Sequence, residues 1–488
     1  MDDETAEVSY WNLPRKGELL VLLICRFTEA LSVSSILSYV FFQIESFMPS
    51  AGMATIAMRI GLLFSAKTAA HVVTSLVWGR LADHRNIGRK KVMIFGLLAS
   101  SFAIVGYGFS RSFAVAVAWQ VADGALNANL AMVRCMISEL YPAKRQRARA
   151  LALLPIFANI GALAGPLIGG FLSAAKKDRA IISRFPFAAP NICVAGIQIC
   201  VALVAASVLT ETLEGYQQPV DNSPSSGSEY NSPEIQGQTE TSPLLPSAPN
   251  KPLPFRRIWT PNVITTMFAQ FIIVGHMGTF NGLLAVFIST PAAPLKDQHP
   301  PFNFTGGLGM NPRGVGIAIS LIGFTGIILQ FLIYPTLRDH FGTIRLWRAA
   351  LCVFPLVYIL APFSALIASH ATRQQVNEGE DPTGSVVGIW IALILIVASF
   401  VAGRTCVVPA TSLLINDCTP HASVRGTVHT AGVAISNLSR SVFPYIAFSV
   451  FSYGLNIGAV ELGFWFLAGL AVLSCIGSVW VWEGTNGK

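Results

Sequence analysis

Charge is what this chain has least of. Across 488 residues, Asp, Glu, Lys and Arg make up 12%, while 53% are hydrophobic and mean hydropathy is +0.57. A water-soluble domain usually carries about twice that charge fraction, so a soluble fold is excluded. Period-2 alternation is missing, and the apolar runs are too long for barrel strands. That leaves helices, which satisfy their own backbone hydrogen bonds in lipid. Cysteine is scarce and scattered: eight residues, mostly inside apolar runs, with no CxxC pair. They read as small packing residues. HExxH, GxSxG and P-loop patterns are lacking, which argues against an enzyme or a nucleotide-driven pump. The eight histidines form no His-rich loop, so neither a metal site nor a cofactor is expected.

What the chain does have is a series of apolar stretches long enough to cross a bilayer. A helix rises about 1.5 Å per residue, so a roughly 30 Å hydrocarbon core needs about 20 residues. Such stretches lie near 19–43, 55–80, 91–109, 112–139, 147–173 and 189–210, and again near 262–289, 314–336, 346–368, 386–414, 424–452 and 459–482. The opening MDDETAEVSYWNLPRKGE is acidic and polar and leads into a full-length span, so a retained first helix is expected rather than a cleaved signal. The net charge of +8 comes from basic residues in short loops at helix ends and is no nucleic-acid footprint. Arg80, Arg85, Arg89, Lys90 and Lys91 follow span 2, Lys144, Arg145, Arg147 and Arg149 follow span 4, and Arg338, Arg345 and Arg348 follow span 8. By the positive-inside rule both termini and the even-numbered loops face the cytosol. Lys176, Lys177, Arg179 and Arg184, between spans 5 and 6, oppose that assignment.

Between spans 6 and 7 the composition turns to Ser, Pro, Gly and Gln, the mark of a disordered linker. The expected organisation is a cytosolic N-terminus (1–18), a six-helix half (19–210), a cytosolic linker (211–257), a second six-helix half (258–482) and a short tail (483–488). An internal repeat supports two halves: Leu81-Ala82-Asp83-His84 after span 2 is echoed by Leu337-Arg338-Asp339-His340 after span 8. In the linker, Glu240 stands four residues before Leu244 and Leu245, an acidic dileucine pattern that reads either as a sorting signal or as a chance match. Asn303-Phe304-Thr305 fits an N-glycosylation acceptor on the outer side.

The densest charge lies in GRLADHRNIGRKK, residues 79–91. Asp83 falls at the C-terminal end of span 2, where the helix dipole is already negative, and Arg89, Lys90 and Lys91 open span 3, where it is positive. Each sign is wrong for its own helix. Two readings follow: a latch whose charges serve neighbouring helices, with Gly79 and Gly88 allowing close approach, or a solvated loop that only sets topology.

These residues resemble the loop 2-3 signature of the major facilitator superfamily, G-x-L-x-D-R-x-G-R-K, through Gly79, Leu81, Asp83, Gly88, Arg89 and Lys90. Two extra residues between Asp83 and Gly88 leave two candidates, Arg85 and Arg89, for the loop arginine. ALNANLAMVRCMISELYP is similar to span 4 of the drug:proton antiporter branch, with Arg134 and Glu139 in matching places and Gln120 where an arginine is common. GALAGPLIGG resembles the span 5 antiporter signature through Gly165, Pro166, Gly169 and Gly170, with Gly161 opening the small-residue face. LPRKGELLVLLICRFTEA, the Gln330 and YPTLRDHFG region and VRGTVHTAGVAISNLSRSVFP are similar to the fungal and plant zinc-induced facilitator-like subgroup. The resemblance implies an all-α integral membrane protein of twelve helices in two pseudo-symmetric halves, working by alternating access, commonly as an exporter.

Ionisable residues inside spans are costly and usually face a cavity or one another. Arg26 and Glu29 in span 1, and Lys67 and His71 in span 2, each share a helix face. Gln120, Asp123, Asn127 and Arg134 make a polar stripe along span 4. Asp123, and after it Glu29, are the candidate proton carriers; the alternative is a structural carboxylate held permanently by an arginine. His276, Arg404, His429, Asn437 and Arg440 are the polar intruders of the second half, as pathway lining or as packing.

The leading expectation is a secondary transporter coupled to protons that exports a small organic compound. Zinc or another cation is the alternative cargo, and a sensor on a transporter scaffold a third reading, disfavoured by the short tail WEGTNGK. The expected partners are substrate, protons and lipid, without nucleic acid, for a monomer in a vacuolar, endosomal or plasma membrane.

Overall fold

The computed structural model describes residues 13–84, 86–173, 185–213, 258–299, 302–377, 383–419 and 425–482. Arg85, the dileucine residues Glu240, Leu244 and Leu245, the basic residues 176–184 and the side chain of His429 lie outside that description.

Twelve membrane helices run in two sets of six. The first set is α1 (Lys16–Leu37), α2 (Met53–Ala82), α3 (Gly88–Gly108), α4 (Phe113–Leu126 and Asn129–Leu140), α5 (Lys144–Ala152 and Leu154–Ser173) and α6 (Ala188–Val208). The second is α7 (Pro261–Ser289), α8 (Pro312–Phe341), α9 (Thr343–His370), α10 (Thr383–Asp417), α11 (Arg425–Ile457) and α12 (Glu461–Ser478). A short helix, Val40–Phe47, prolongs α1. Among the described residues, ten helices qualify as spans by length and apolarity alone. The two that fail are α4, which is broken, and α11, which carries Asn437 and Arg440.

Local sequence explains the helix starts and breaks. Thr260 and Asn311 cap α7 and α8, accepting from the N–H of Val263 (3.3 Å) and Gly314 (2.9 Å), and each is followed by a proline at the first helical position. In α8, Pro335 offers no N–H and its ring crowds the carbonyl four residues back, and the turns just before it, Leu329–Ile333, widen to a π-helix. The unbroken span expected over 112–139 is interrupted at Asn127, whose backbone is extended (φ −92°, ψ 106°). The freed groups find side chains: Asn127 Oδ1 accepts from Asn129 N–H (3.2 Å) and the Ala125 carbonyl accepts from Trp78 Nε1 (2.6 Å).

Each half is a six-helix bundle, and the halves meet along two helix pairs, α2 with α11 and α5 with α8. Small residues set the approach at α5. A Cβ on Gly161 or Gly165 would lie 2.5 Å from the Phe27 or Leu31 carbonyl of α1, and one on Gly169 2.3 Å from that of Ser35. A quarter-turn round, a Cβ on Gly170 would meet the Pro312 carbonyl of α8 at 2.5 Å, and one on Gly316 the Pro166 carbonyl at 2.4 Å. Gly61 of α2 lies against Phe448 of α11, whose ring sits edge-on to Phe64 at 6.3 Å.

The hydrophobic core shows which end is closed. One cluster joins both halves through Tyr39, Ile44, Ile56 and Leu63 on one side and Phe280, Phe287, Phe448 and Phe451 on the other. All of these first-half residues lie at the end remote from the termini. At the end where the described chain begins and finishes, Leu19, Ala82, Met136 and Leu209 pack only with their own half, and Val263, Ile415 and Val428 only with theirs. The halves are therefore joined at one end and parted at the other, leaving a cleft that opens toward the termini.

Candidate functional site

Each of the two inter-half contacts runs out part-way along its helices. Thr68 Oγ1 of α2 donates to the Arg440 carbonyl of α11 (3.0 Å), and beyond it Val73, Leu76 and Val77 are exposed. On the other side, Asn159 of α5 abuts Gly323 and Gly326 of α8, and its Oδ1 accepts from Arg404 Nη2 of α10 at 2.9 Å. Beyond that level Phe331 and Leu332 of α8 are exposed.

At this fork the structure gathers charge. Arg26 donates to Glu29 (2.9 Å) on α1, and both are half-buried. Arg134, from the second segment of α4, lies within electrostatic reach of Arg26 and Glu29. Arg440 is within reach of all three, and Arg404 within reach of Arg26. Arg134 and Arg440 are exposed although they lie mid-helix in the bundle, because what they meet is the open cleft. Among the described residues, four guanidiniums, two from each half, thus gather about Arg26, and three of them have Glu29 within reach. The apolar hollow lined by Ala349, Val353, Leu356 and Leu395 lies between α9 and α10, apart from these charges.

A second ionic group lies inside the first half. Asp123 of α4 is buried, touches Lys67 Nζ of α2 in a very short ion pair and accepts from Ser100 Oγ of α3 at 2.6 Å. The backbones cross closely here, since a Cβ on Gly124 would sit 2.0 Å from the Lys67 carbonyl. Lys67 is 17% exposed and Asp123 2%, so the lysine is the member in touch with water.

The other expected site residues divide. Gln120 is buried, and His71, Asn127 and Asn437 are half-buried. The single stripe expected along span 4 is not continuous: the break at Asn127 turns Asp123 toward α2 and α3 and leaves Arg134 at the cleft. His276 is fully buried within the second half, where Nδ1 bonds Tyr358 Oη (2.9 Å) and the ring stands edge-on to Phe354. That is a packing position, away from the fork. Asn303 is exposed on the loop between α7 and α8.

The loop between α2 and α3 forms a network on the side of the termini. Arg89 lies 3.4 Å from Asp83 and makes a much shorter ion pair with Glu139 at the end of α4. Glu139 also accepts from Thr212 Oγ1 (2.6 Å), beyond the end of α6. Glu211, not singled out from sequence, occupies the N-terminus of α3, accepting from the N–H of Arg89 (2.9 Å) and Lys90 (3.1 Å). Glu211 and Thr212 stand in the segment assigned by composition to the linker, and they are bound to the first half. In the second half the corresponding pair, α9 and α12, is tied with the signs reversed: Arg348 donates to the carbonyls of Ser478 (3.2 Å) and Val481 (2.9 Å) at the end of α12. Asn159 is a single polar residue in an apolar run, where the signal is that such a residue needs a partner, whereas Ser100 beside Ser101 and Glu211 between Thr210 and Thr212 carry no individual signal in sequence.

Two six-helix halves around a cleft with charges at its apex define a multi-pass membrane transporter rather than an enzyme. The sequence profile of the Major Facilitator Superfamily matches residues 22–444, and the chain belongs to that family. It is 26% identical to the Major facilitator superfamily multidrug transporter mfsB of Aspergillus fumigatus, over 97% of this chain and 84% of that protein. Against Protein ZINC INDUCED FACILITATOR-LIKE 1 of Arabidopsis thaliana it is 23% identical, over 77% of this chain and 76% of that one. Its fold is similar to the inward-facing, occupied crystal structure of a bacterial homolog of the human lysosomal transporter Spinster, with TM-score 0.61, 14% identity and coverage of 94% and 95% of the two chains.

Proposed function

We propose that this secondary transporter exports a small organic compound against a proton gradient, with Asp123 as the proton-binding group. The observation that carries the reading is the buried contact of Asp123 with Lys67 under Ser100. Lys67 sits one residue from Thr68, which touches α11 of the other half. A proton on Asp123 removes the charge that holds Lys67, and so acts on a helix that joins the halves. Glu29, paired with Arg26 at the fork, is the second candidate. The resemblance of spans 4 and 5 to proton antiporters and the likeness to a multidrug transporter support export.

In this reading the termini and the open end of the cleft face the cytosol, and Asn303 lies on the other side as a glycosylation acceptor. The network of Asp83, Arg89 and Glu139 ties helix ends of the first half so that it moves as one body. The protein acts as a monomer in a vacuolar, endosomal or plasma membrane. The test is uptake into proteoliposomes bearing an imposed pH gradient, with organic compounds and zinc as cargo. Proton-dependent flux of an organic compound is expected; proton-dependent zinc flux alone would select the cation alternative, and no proton-dependent flux of any cargo would end the antiport reading.

A further inference from the structure

We propose that the cargo is an organic anion, a small molecule bearing a carboxylate or phosphate group, bound at the fork between Arg26 and Arg134 of the first half and Arg404 and Arg440 of the second. This inference rests on reading the cleft as the substrate site. Its ground is a charge imbalance among the described residues: Glu29 pairs with Arg26 and lies within reach of Arg134 and Arg440, while Arg404 has Arg26, a like charge, as its charged neighbour. Arg404 is held by a neutral amide oxygen, Asn159 Oδ1, which positions it without neutralising it. Asp123 adds nothing to the balance, since its charge is taken by Lys67. An excess of three positive charges faces a cleft between low-dielectric walls, where like charges repel more strongly than in water.

Such an arrangement suits a ligand that brings the missing charge. Guanidinium groups keep their charge at neutral pH and offer planar, paired donors that match the oxygens of a carboxylate or phosphate. Arg134 and Arg440 present exposed side chains to the cleft, so an entering anion meets them first. The placement also gives binding a mechanical consequence. With two arginines on each half, closing the empty cleft drives positive charges together, whereas a bound anion bridges the halves. Cargo of the right sign thereby favours closure, and a metal cation meets repulsion instead.

The test uses the purified full-length protein in two assays. First, thermal unfolding is followed with citrate, a phosphate monoester, spermidine and chloride at matched ionic strength. Citrate or the phosphate ester is expected to raise the unfolding temperature where chloride and spermidine do not, and which of the two acts separates carboxylate from phosphate recognition. Arg440→Gln should abolish that shift and Arg440→Lys retain part of it, while both melt like the parent without ligand. Second, proteoliposomes are given carboxyfluorescein as anion and rhodamine 6G as cation of similar ring size. The anion should move by a saturable route whose KM rises at least tenfold in Arg134→Gln. No stabilisation by any anion, or faster flux of the cation left unchanged by Arg440→Gln, overturns the proposal. Proton-driven cation flux would overturn it and leave the transporter reading standing. Anion stabilisation with no flux of either dye under a pH gradient would do the reverse.

Discussion

Gly88 and Gly342 adopt the same backbone angle, φ 75°, where the chain turns into α3 in the first half and into α9 in the second. They occupy matching places in the two copies of the loop repeat. Both have a positive φ, which a Cβ makes costly by about 1–3 kcal/mol. Their surroundings differ. A Cβ on Gly88 would come within 2.3 Å of the Glu211 carboxylate, whereas Gly342 has nothing within 4 Å. Gly342→Ala is therefore expected to show only the backbone cost, and Gly88→Ala that cost plus displacement of Glu211. Unfolding temperatures in detergent check this, and equal losses for the two variants would contradict it.

Glu211 and Arg348 test whether the α3–α6 and α9–α12 ties hold in solution. Glu211→Ala leaves two helix-start N–H groups without their acceptor and should cost about 1 kcal/mol, the usual value of a lost N-cap. Glu211→Gln, which keeps an acceptor oxygen, should recover part of it. Arg348→Gln removes donors from the end of α12 and should give a loss of similar size. Hydrogen exchange at the start of α3 and the end of α12 reads each change locally. Unaltered protection at both places would show the contacts to be dispensable.

The Lys67 and Asp123 pair predicts asymmetric single variants. Asp123→Asn keeps the volume and the bond to Ser100, removes the titratable group, and should leave a folded protein. Its flux should lose pH dependence and fall by about tenfold or more, the equivalent of about 1.4 kcal/mol of lost coupling. Lys67→Ala instead strands a buried carboxylate, and removing one partner of such a pair costs about 3–5 kcal/mol. Replacing both residues by apolar ones should restore much of the stability without restoring transport. A pH profile for Asp123→Asn identical to the parent's would remove Asp123 from the coupling mechanism.

What the sequence made legible was whatever repeats or accumulates. Twenty-residue apolar runs announce helices, and the recurrence of Leu-x-Asp-His after spans 2 and 8 announces two halves, because each signal is summed over many positions. Single contacts between distant segments were not legible. Near Asn127 the proline that would mark a break most plainly is absent; what stands there is the weaker signal of Gly124, Asn127 and Asn129, and the interrupted backbone is completed by Trp78 of another helix. The alternative of an arginine partner for Asp123 gives way to Lys67, which lies 56 positions away in sequence and shares its own helix face with His71. Among the described residues, Arg89 lies between Asp83 and Glu139.

Gly316 offers a direct handle on the conformational equilibrium. On the closed side of the molecule its Cα approaches Gly170, and an added Cβ would meet the Pro166 carbonyl, a backbone atom that cannot rotate away. Nearby, the Arg313 guanidinium lies over the Phe171 ring at 5.6 Å, a second contact between the same two helices. Gly316→Val must push α5 and α8 apart at that end and so disfavour the conformation with its cleft open toward the termini. A transporter that alternates should respond by populating its opposite form, not by unfolding. Spin labels at positions 171 and 313 would report the distance, expected to lengthen in Gly316→Val, while labels at positions 77 and 433, on the parted ends of α2 and α11, should draw closer. Separation of the first pair with no approach of the second would mean that the halves do not rock as rigid bodies about the fork where Arg404 and Asn159 meet.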